Sequence, residues 1–392
     1  MPLRFLTAGE SHGPGLVAIL EGMPAGLPLD PQQHIDPELA RRQQGYGRGP
    51  RMRIEQDRVR LLSGILEGRT TGAPIALWIE NRDHARWKGR AVAPFTTPRP
   101  GHVDLAAALK YGYSDLRPGL ERASARETAA RVAVGAICKH LLHQFGMRVQ
   151  GYVVAIGPVR AQVDAIPLEE RGARAEASPV RCPDPEASSA MEAAIRQAMD
   201  DRDTLGGVIE VVAWPVPPGL GSHVHWDRRL DARLAAAVMS IQAIKGVEIG
   251  DGFRLASLRG TQAHDAIRRT DRAVTRPTNR AGGIEGGISN GMPIVVRAAM
   301  KPIATTLTPQ ETVDLATGEP TKTQYERSDF CPVPRAVPVV EAMVAFVLAD
   351  ALLEKLGGDT LEELRERFAR LPRGLLDDFH LDGQPHTFWP GA

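Results

Sequence analysis

Cysteine is scarce in this 392-residue chain: Cys138, Cys182 and Cys331 are its only three, and they lie far apart. An odd, dispersed set gives neither a disulfide framework nor a paired zinc spacing, and it suits a reducing cytosol. Excess charge of either sign is also lacking. The 48 Lys and Arg against 47 Asp and Glu leave +1, so the whole molecule carries no field for nucleic acid or an anionic membrane, and any anion site must be local. No uninterrupted apolar run approaches the roughly 20 residues that span a bilayer, and Met1 to Thr7 runs straight into Gly9-Glu10-Ser11-His12-Gly13, so neither export nor insertion is expected. Missing too is a Gly-x-Gly-x-x-Gly fingerprint between strand and helix, which argues against a Rossmann nicotinamide site. His223 and His225 have no third ligand at a recognisable spacing, so no metal is expected.

What remains is a chain with 43% hydrophobic residues and 24% charged ones, enough for one large core. Residues 3–7 and 16–21 read as short strands around a glycine-rich turn that carries Glu10, Ser11 and His12. A helical piece with Glu38, Leu39, Arg41 and Arg42 leads into Gly45-Tyr46-Gly47-Arg48-Gly49-Pro50, an arginine-bearing loop. A helix is expected from Ser124, where Ser124 and Glu127 have capping-box spacing, to a stop at Gly146. Residues 158–187, rich in Pro, Ala, Arg and Glu, read as an exposed insertion, followed by a helix near Met191 to Met199. Residues 207–214 alternate like a strand, 230–241 like a helix, and 293–298 like another strand. Helices at 339–356 and 361–371 precede a loose tail at 376–392. No repeat and no sharp composition break divides the chain, so one α+β domain is expected.

Several residues suggest chemistry. His12 sits in a turn where glycine permits close approach, and His102 lies in Arg99-Pro100-Gly101-His102-Val103-Asp104 just ahead of a short helix. If the two converge they would make a pair of proton donors, each typically worth about 10²–10⁴-fold in rate. Arg41, Arg42, Arg48, Arg51 and Arg53 form a cationic run suited to phosphate, or alternatively a solvated loop. The helix start at Ser124, bracketed by Arg122 and Arg126, is either an anion site or simply a capped terminus. Asp329, in Arg327-Ser328-Asp329, is a candidate base or an ordinary helix-entry acid, and Lys301 and Arg327 are anion contacts or surface charges. Together these fragments point to a cytosolic enzyme acting on a small phosphorylated anion.

Three segments in order, Gly9-Glu10-Ser11-His12-Gly13 through Glu21-Gly22-Met23-Pro24, Glu121-Arg122-Ala123-Ser124-Ala125-Arg126-Glu127-Thr128, and Arg327-Ser328-Asp329 through Glu341, resemble the signatures of the chorismate synthase family. Arg99-Pro100-Gly101-His102 and the stretch from Gly282 to Gly291 join them. The resemblance implies a lyase of the shikimate pathway, in aromatic amino-acid biosynthesis. Its reaction would be the 1,4-anti elimination of phosphate from 5-enolpyruvylshikimate 3-phosphate to chorismate, with reduced FMN and no net redox change. It further implies a β-α-β sandwich and a cytoplasmic homotetramer. By the same resemblance His12 donates a proton to the departing phosphate, His102 protonates the reduced flavin near N1, and Asp329 assists proton removal at flavin N5. Ser11 and Ser124 support by hydrogen bonding. Arg42 and Arg48 correspond to positions for anionic substrate or NADPH. The flavin set carried over is Arg122, Ala123, Ser124, Gln242, Ala243, Gly286, Lys301, Pro302, Ile303, Ala304, Thr305 and Arg327. Ala123 stands where serine is frequent and Val103 where alanine is, neither removing an ionisable group. A bifunctional form that reduces its own flavin with NADPH, and a non-catalytic anion- or RNA-binding protein, are the alternatives.

Overall fold

The computed structural model describes residues 2–47, 56–324 and 329–388. Alternating burial along the first strands makes one face of a sheet apolar. Strands β1 (Arg4–Ala8), β2 (Gly15–Glu21), β3 (Val59–Leu61) and β4 (Ile75–Glu80) pair antiparallel in the order β1-β2-β4-β3, with Leu6 opposite Ile19 and Ile19 opposite Ala76. Leu16, Ala18, Leu20, Ile75, Leu77 and Ile79 point into the core from this sheet. A second antiparallel sheet holds β5 (Arg148–Ile156), β6 (Val159–Arg160), β7 (Gly207–Trp214), β8 (Ile244–Ile249) and β9 (Ile294–Met300), in the order β8-β9-β7-β5-β6.

Helices fill the space between the sheets and wrap their ends: α1 (Asp36–Gln43), α2 (Asp104–Tyr111), α3 (Arg117–Ala123), α4 (Thr128–His143), α5 (Leu168–Ala177), α6 (Pro185–Asp200), α7 (Leu230–Met239), α8 (Val333–Leu356) and α9 (Leu361–Ala369). Helix α4 packs on the first sheet and α8 on the second, and the two pack on each other. They approach closely because position 135 is glycine: a Cβ there would lie 2.2 Å from Ala342 Cβ and 2.4 Å from Ala342 Cα. The result is a sheet–helix–sheet sandwich of the α+β class around one main hydrophobic cluster. Helix α8, apolar on nearly every side, is the one helix among the described residues long and apolar enough to cross a membrane, and its apolar stretch is 89% buried inside the protein.

Two expectations are corrected. Helix α8 starts at Val333, not after Pro338, although Pro338 has no N–H to donate four residues back. The carbonyl this leaves over, Pro334 O, accepts instead from Arg181 Nη1 at 2.6 Å. Arg181 belongs to the stretch 158–187, which is not an exposed excursion. That stretch carries α5, buries Val163, Ala175, Val180 and Cys182, and covers Tyr152 and Val212 of the second sheet. Its small residues masked the pattern, since alanine and glycine line the buried face of α5.

Candidate active site

The turn between β1 and β2 closes tightly because Gly9 has φ +107 and a Cβ there would sit 2.3 Å from Gly15 O. Asn81, just past β4, holds the turn: its Nδ2 donates to Glu10 O at 3.0 Å and to Gly13 O at 2.9 Å, while its Oδ1 accepts from Arg126 Nε at 2.7 Å. Ser11 is buried, and Ser124 Oγ donates to its Oγ at 3.0 Å. The Nδ1 of His12 lies 2.6 Å from Glu121 Oε1, its backbone N–H donates to Glu121 Oε2 at 2.7 Å, and its ring stands 4.5 Å from that of Trp87.

Under this turn lies a buried charge cluster. Asp57 accepts from Arg126 Nη1 at 2.6 Å and from Arg42 Nη1 at 3.4 Å. Arg42 also donates to Thr128 Oγ1 at 2.9 Å and to Ala125 O at 2.8 Å. Burial pulls the Arg42 guanidinium down to about 9, against Asp57, which favours its charge. Arg335 pairs with Asp329, and its Nε donates to Arg42 O at 3.3 Å. His12, Ser11, Ser124, Arg42 and Asp329 therefore belong to one connected network, assembled from the first turn, α1, the entry to α4 and the start of α8. Arg42 enters it as an inward-facing helical residue only 3% exposed, not as part of an open loop. Arg48, Arg51, Arg53 and Arg327 lie outside the described residues.

The expected capping box at Ser124 is half formed. Ser124 Oγ accepts from Arg126 N at 3.3 Å, capping a short 3-10 turn (Ala125–Glu127) before α4. Glu127 turns elsewhere, accepting from Thr7 Oγ1 at 2.7 Å, Arg131 Nε at 2.9 Å and Gln242 Nε2 at 3.1 Å. Burial opposes its ionisation, but Arg131 and these hydrogen bonds outweigh it and hold the carboxyl below its usual range. Arg122 Nη2 reaches Thr7 O at 2.9 Å and Thr7 Oγ1 at 2.8 Å. Phe5, Thr7, Arg122, Glu127, Ser240 and Gln242 thus line a cleft of about 420 Å³.

His102 stands in a second cluster. Its Nδ1 is 2.5 Å from Asp104 Oδ1, and Arg99 grips the same carboxylate through Nε at 2.8 Å and Nη2 at 3.0 Å. Burial opposes ionisation of Asp104, yet the bonds from His102 and Arg99 hold it well below the usual carboxylate range. Lys301 Nζ donates to Gly101 O at 2.5 Å, and Lys301 N to Ala243 O at 2.9 Å, which ties this cluster to the strand end beside Gln242. Ala243 adopts φ +67 to make that contact. Of the neighbouring run, Ile303 O accepts from Thr204 Oγ1 at 2.9 Å, Pro302 is exposed, Thr305 is buried, and a Cβ added at Gly101 would meet Ala304 Cβ at 3.9 Å. Ala123 ends α3 beside Ser124. Gly286 sits apart on an exposed hairpin tip with φ +58.

Among the partners of the histidines, Asp104 is an acid two residues from His102, whereas Glu121 carries no local signal that ties it to His12. Asp57 and Asn81 carried no local signal. A larger cleft, about 590 Å³, lies elsewhere, lined by Glu38, Arg41, Lys139, His140 and Glu341 among others. Its charges are paired with one another.

Comparison with known proteins agrees in one direction. The family model for chorismate synthase matches residues 3–353. A chorismate synthase of Symbiobacterium thermophilum is 56% identical over 391 residues, covering 96% of this chain and 99% of its own. One of Moorella thermoacetica is 57% identical over 378 residues, covering 94% and 97%. A crystal structure of a chorismate synthase aligns with TM-score 0.77 at 47% identity, over 94% of this chain and 97% of that one.

Proposed function

The chain belongs to the chorismate synthase family, a lyase family of aromatic amino-acid biosynthesis that takes phosphate from 5-enolpyruvylshikimate 3-phosphate to leave chorismate, and we propose that its residues do this around His12, His102 and Asp329. The observation that carries the reading is the single network joining His12, Ser11 and Ser124 to Asp329 through Arg126, Asp57, Arg42 and Arg335. It sets three arginines, a histidine and two acids in one network, which suits a polyanion that must lose phosphate and a proton.

The residues fit a flavin at Gln242. Its Oε1 is buried without a partner among the described residues, an acceptor suited to an imide N–H such as the isoalloxazine ring carries. Arg122, Ala123, Ser124, Gln242, Ala243 and Lys301 to Thr305 would hold reduced FMN, with Gly286 and Arg327 completing the set. When bound, reduced flavin supplies electron density for phosphate departure. His12 gives a proton to the leaving phosphate, and Ser11 and Ser124 orient it. His102, steadied by Asp104, holds a proton on the flavin side. Asp329, paired with Arg335, assists removal of the ring proton. Arg42 and Arg126, neutralised only in part by Asp57, supply the positive environment for the anion, and Arg48 is assigned a contact with the substrate or with NADPH by the family resemblance. NADPH is the proposed reductant for the flavin, and a cytoplasmic homotetramer is the proposed assembly.

Anaerobic mixing of the protein with 5-enolpyruvylshikimate 3-phosphate and chemically reduced FMN is expected to release phosphate and chorismate in equal amounts, slowed by His12→Ala and by His102→Ala. Product formation at the wild-type rate in both variants would remove the assigned roles. NADPH oxidation in the same mixture without added reductant would show flavin reduction by the protein itself.

A further inference from the structure

Glu121 does more for His12 than one residue usually does for another. Its backbone O accepts from Ser11 N at 3.2 Å, its Oε2 from His12 N at 2.7 Å, and its Oε1 lies 2.6 Å from His12 Nδ1. A single side chain at the end of α3 therefore grips both the backbone and the ring of a residue 109 positions away. From above, Trp87 packs against the ring at 4.5 Å, and His84 Nδ1 lies 2.9 Å from His12 O. An ionised carboxylate is an acceptor only, so the imidazole nitrogen facing it must carry a proton. With Nδ1 committed in this way, proton exchange with a substrate falls to Nε2. His102 is held through the same nitrogen by Asp104, at 2.5 Å.

We propose that Glu121 is a positioning residue for the known reaction: it fixes the tautomer and tilt of His12 so that Nε2 serves the departing phosphate. The proposal rests on the reading of His12 as proton donor. Glu121 is assigned no contact with substrate or cofactor: its role is exercised through the backbone and ring of His12. A carboxylate that orients a metal-bound imidazole is worth roughly 10–100-fold, and a loss of that order is expected when Glu121 no longer holds His12.

The test is a double-mutant cycle on the full-length protein, with reduced FMN supplied chemically and kcat and KM measured for chorismate formation. Glu121→Gln is nearly isosteric, and the expected result is a kcat lowered about 10–100-fold with KM little changed. In a His12→Ala background the same substitution is expected to cost nothing further. A wild-type kcat for Glu121→Gln, or an equal loss with and without His12, overturns the proposal. An unimpaired His12→Ala instead overturns the reading on which it rests. Should Glu121→Gln fail to fold, the wild-type protein still decides: 15N spectra of histidine-labelled protein at alkaline pH, assigned with His12→Ala, are expected to show the proton on Nδ1 of His12. A ring protonated on Nε2 instead refutes the assignment.

Discussion

Glu341 is a carboxylate in the middle of an apolar helix, and removing its charge should cost the protein measurably. It is 1% exposed, and accepts from Arg41 Nη1 at 2.7 Å, Lys139 Nζ at 2.8 Å and Gly151 N at 2.7 Å. Burial opposes its ionisation, but Arg41 and Lys139 win and hold it far below the usual carboxylate range. Glu341→Gln keeps the shape but removes the buried charge that two half-buried cations share, leaving them Glu38 and Glu176, a loss worth about 3–5 kcal/mol. With an unfolding entropy of about 2.1 cal/mol/K per residue, the 392 residues together contribute about 0.8 kcal/mol/K, so Tm should fall by about 4–6 °C. Scanning calorimetry at matched protein concentration reads this directly. The pH dependence has a definite sign: a carboxyl depressed in the fold contributes fully above its unfolded value and loses that contribution as pH falls. The gap between variant and wild type should therefore be constant above roughly pH 5 and narrow below about 4.3. Replacing the triad by apolar groups (Arg41→Met, Lys139→Met and Glu341→Leu together) should recover much of the loss. An unchanged Tm for Glu341→Gln would refute the claim that this cluster is held by charge, and with it the view that Arg41 anchors the helix presenting Arg42.

Three other outcomes are expected. Gly135→Ala drives a methyl into the α4–α8 crossing, where Ala342 Cβ is 2.2 Å away; overpacking of this kind costs about 1–3 kcal/mol or more, visible as a lower urea midpoint, and an unchanged midpoint would show that the helices separate freely. Asp104→Asn removes the charge that His102 and Arg99 share, so kcat should drop while the far-ultraviolet dichroism is kept, by up to the ~10²–10⁴-fold that an acid group contributes; full activity would show that His102 needs no partner. Burial lowers His140, with His34 and His143 adding to it, so the unfolded chain binds its proton more readily than the fold. Stability should then be fully present above about pH 6.5 and decline as pH falls below it, and His140→Asn should flatten that acid limb in urea titrations at successive pH values.

The helix pair at the centre shows where reading the chain succeeds and where it stops. The strands at 3–7 and 16–21 were legible because burial alternates along them, so period-two patterning survives in the sequence, whereas 207–214, buried on both faces, was legible as a short β-branched run. The core helix after Thr128 was legible for the opposite reason, a long apolar run ended by Gly146. The stretch 158–187 was misread because the buried face of its helix is built from alanine and glycine, which look the same inside and out. At Pro338 local chemistry argued for a break, and a distant arginine made continuation affordable by taking over the orphaned carbonyl.

The same division runs through the site. Sequence by itself determined the candidate residues and their local settings: a histidine in a glycine turn, a second two residues ahead of an acid, and an aspartate beside a helix start, in an order that resembles one family. Only the tertiary structure decided what each of them faces. Glu121 reaches His12 across 109 positions, Arg126 reaches Asp57 across 69, and Glu127 leaves its capping role for Thr7 and Gln242. Periodicity and caps are short-range signals carried by neighbouring residues, whereas the partner of a buried charge is chosen by which elements the core brings together.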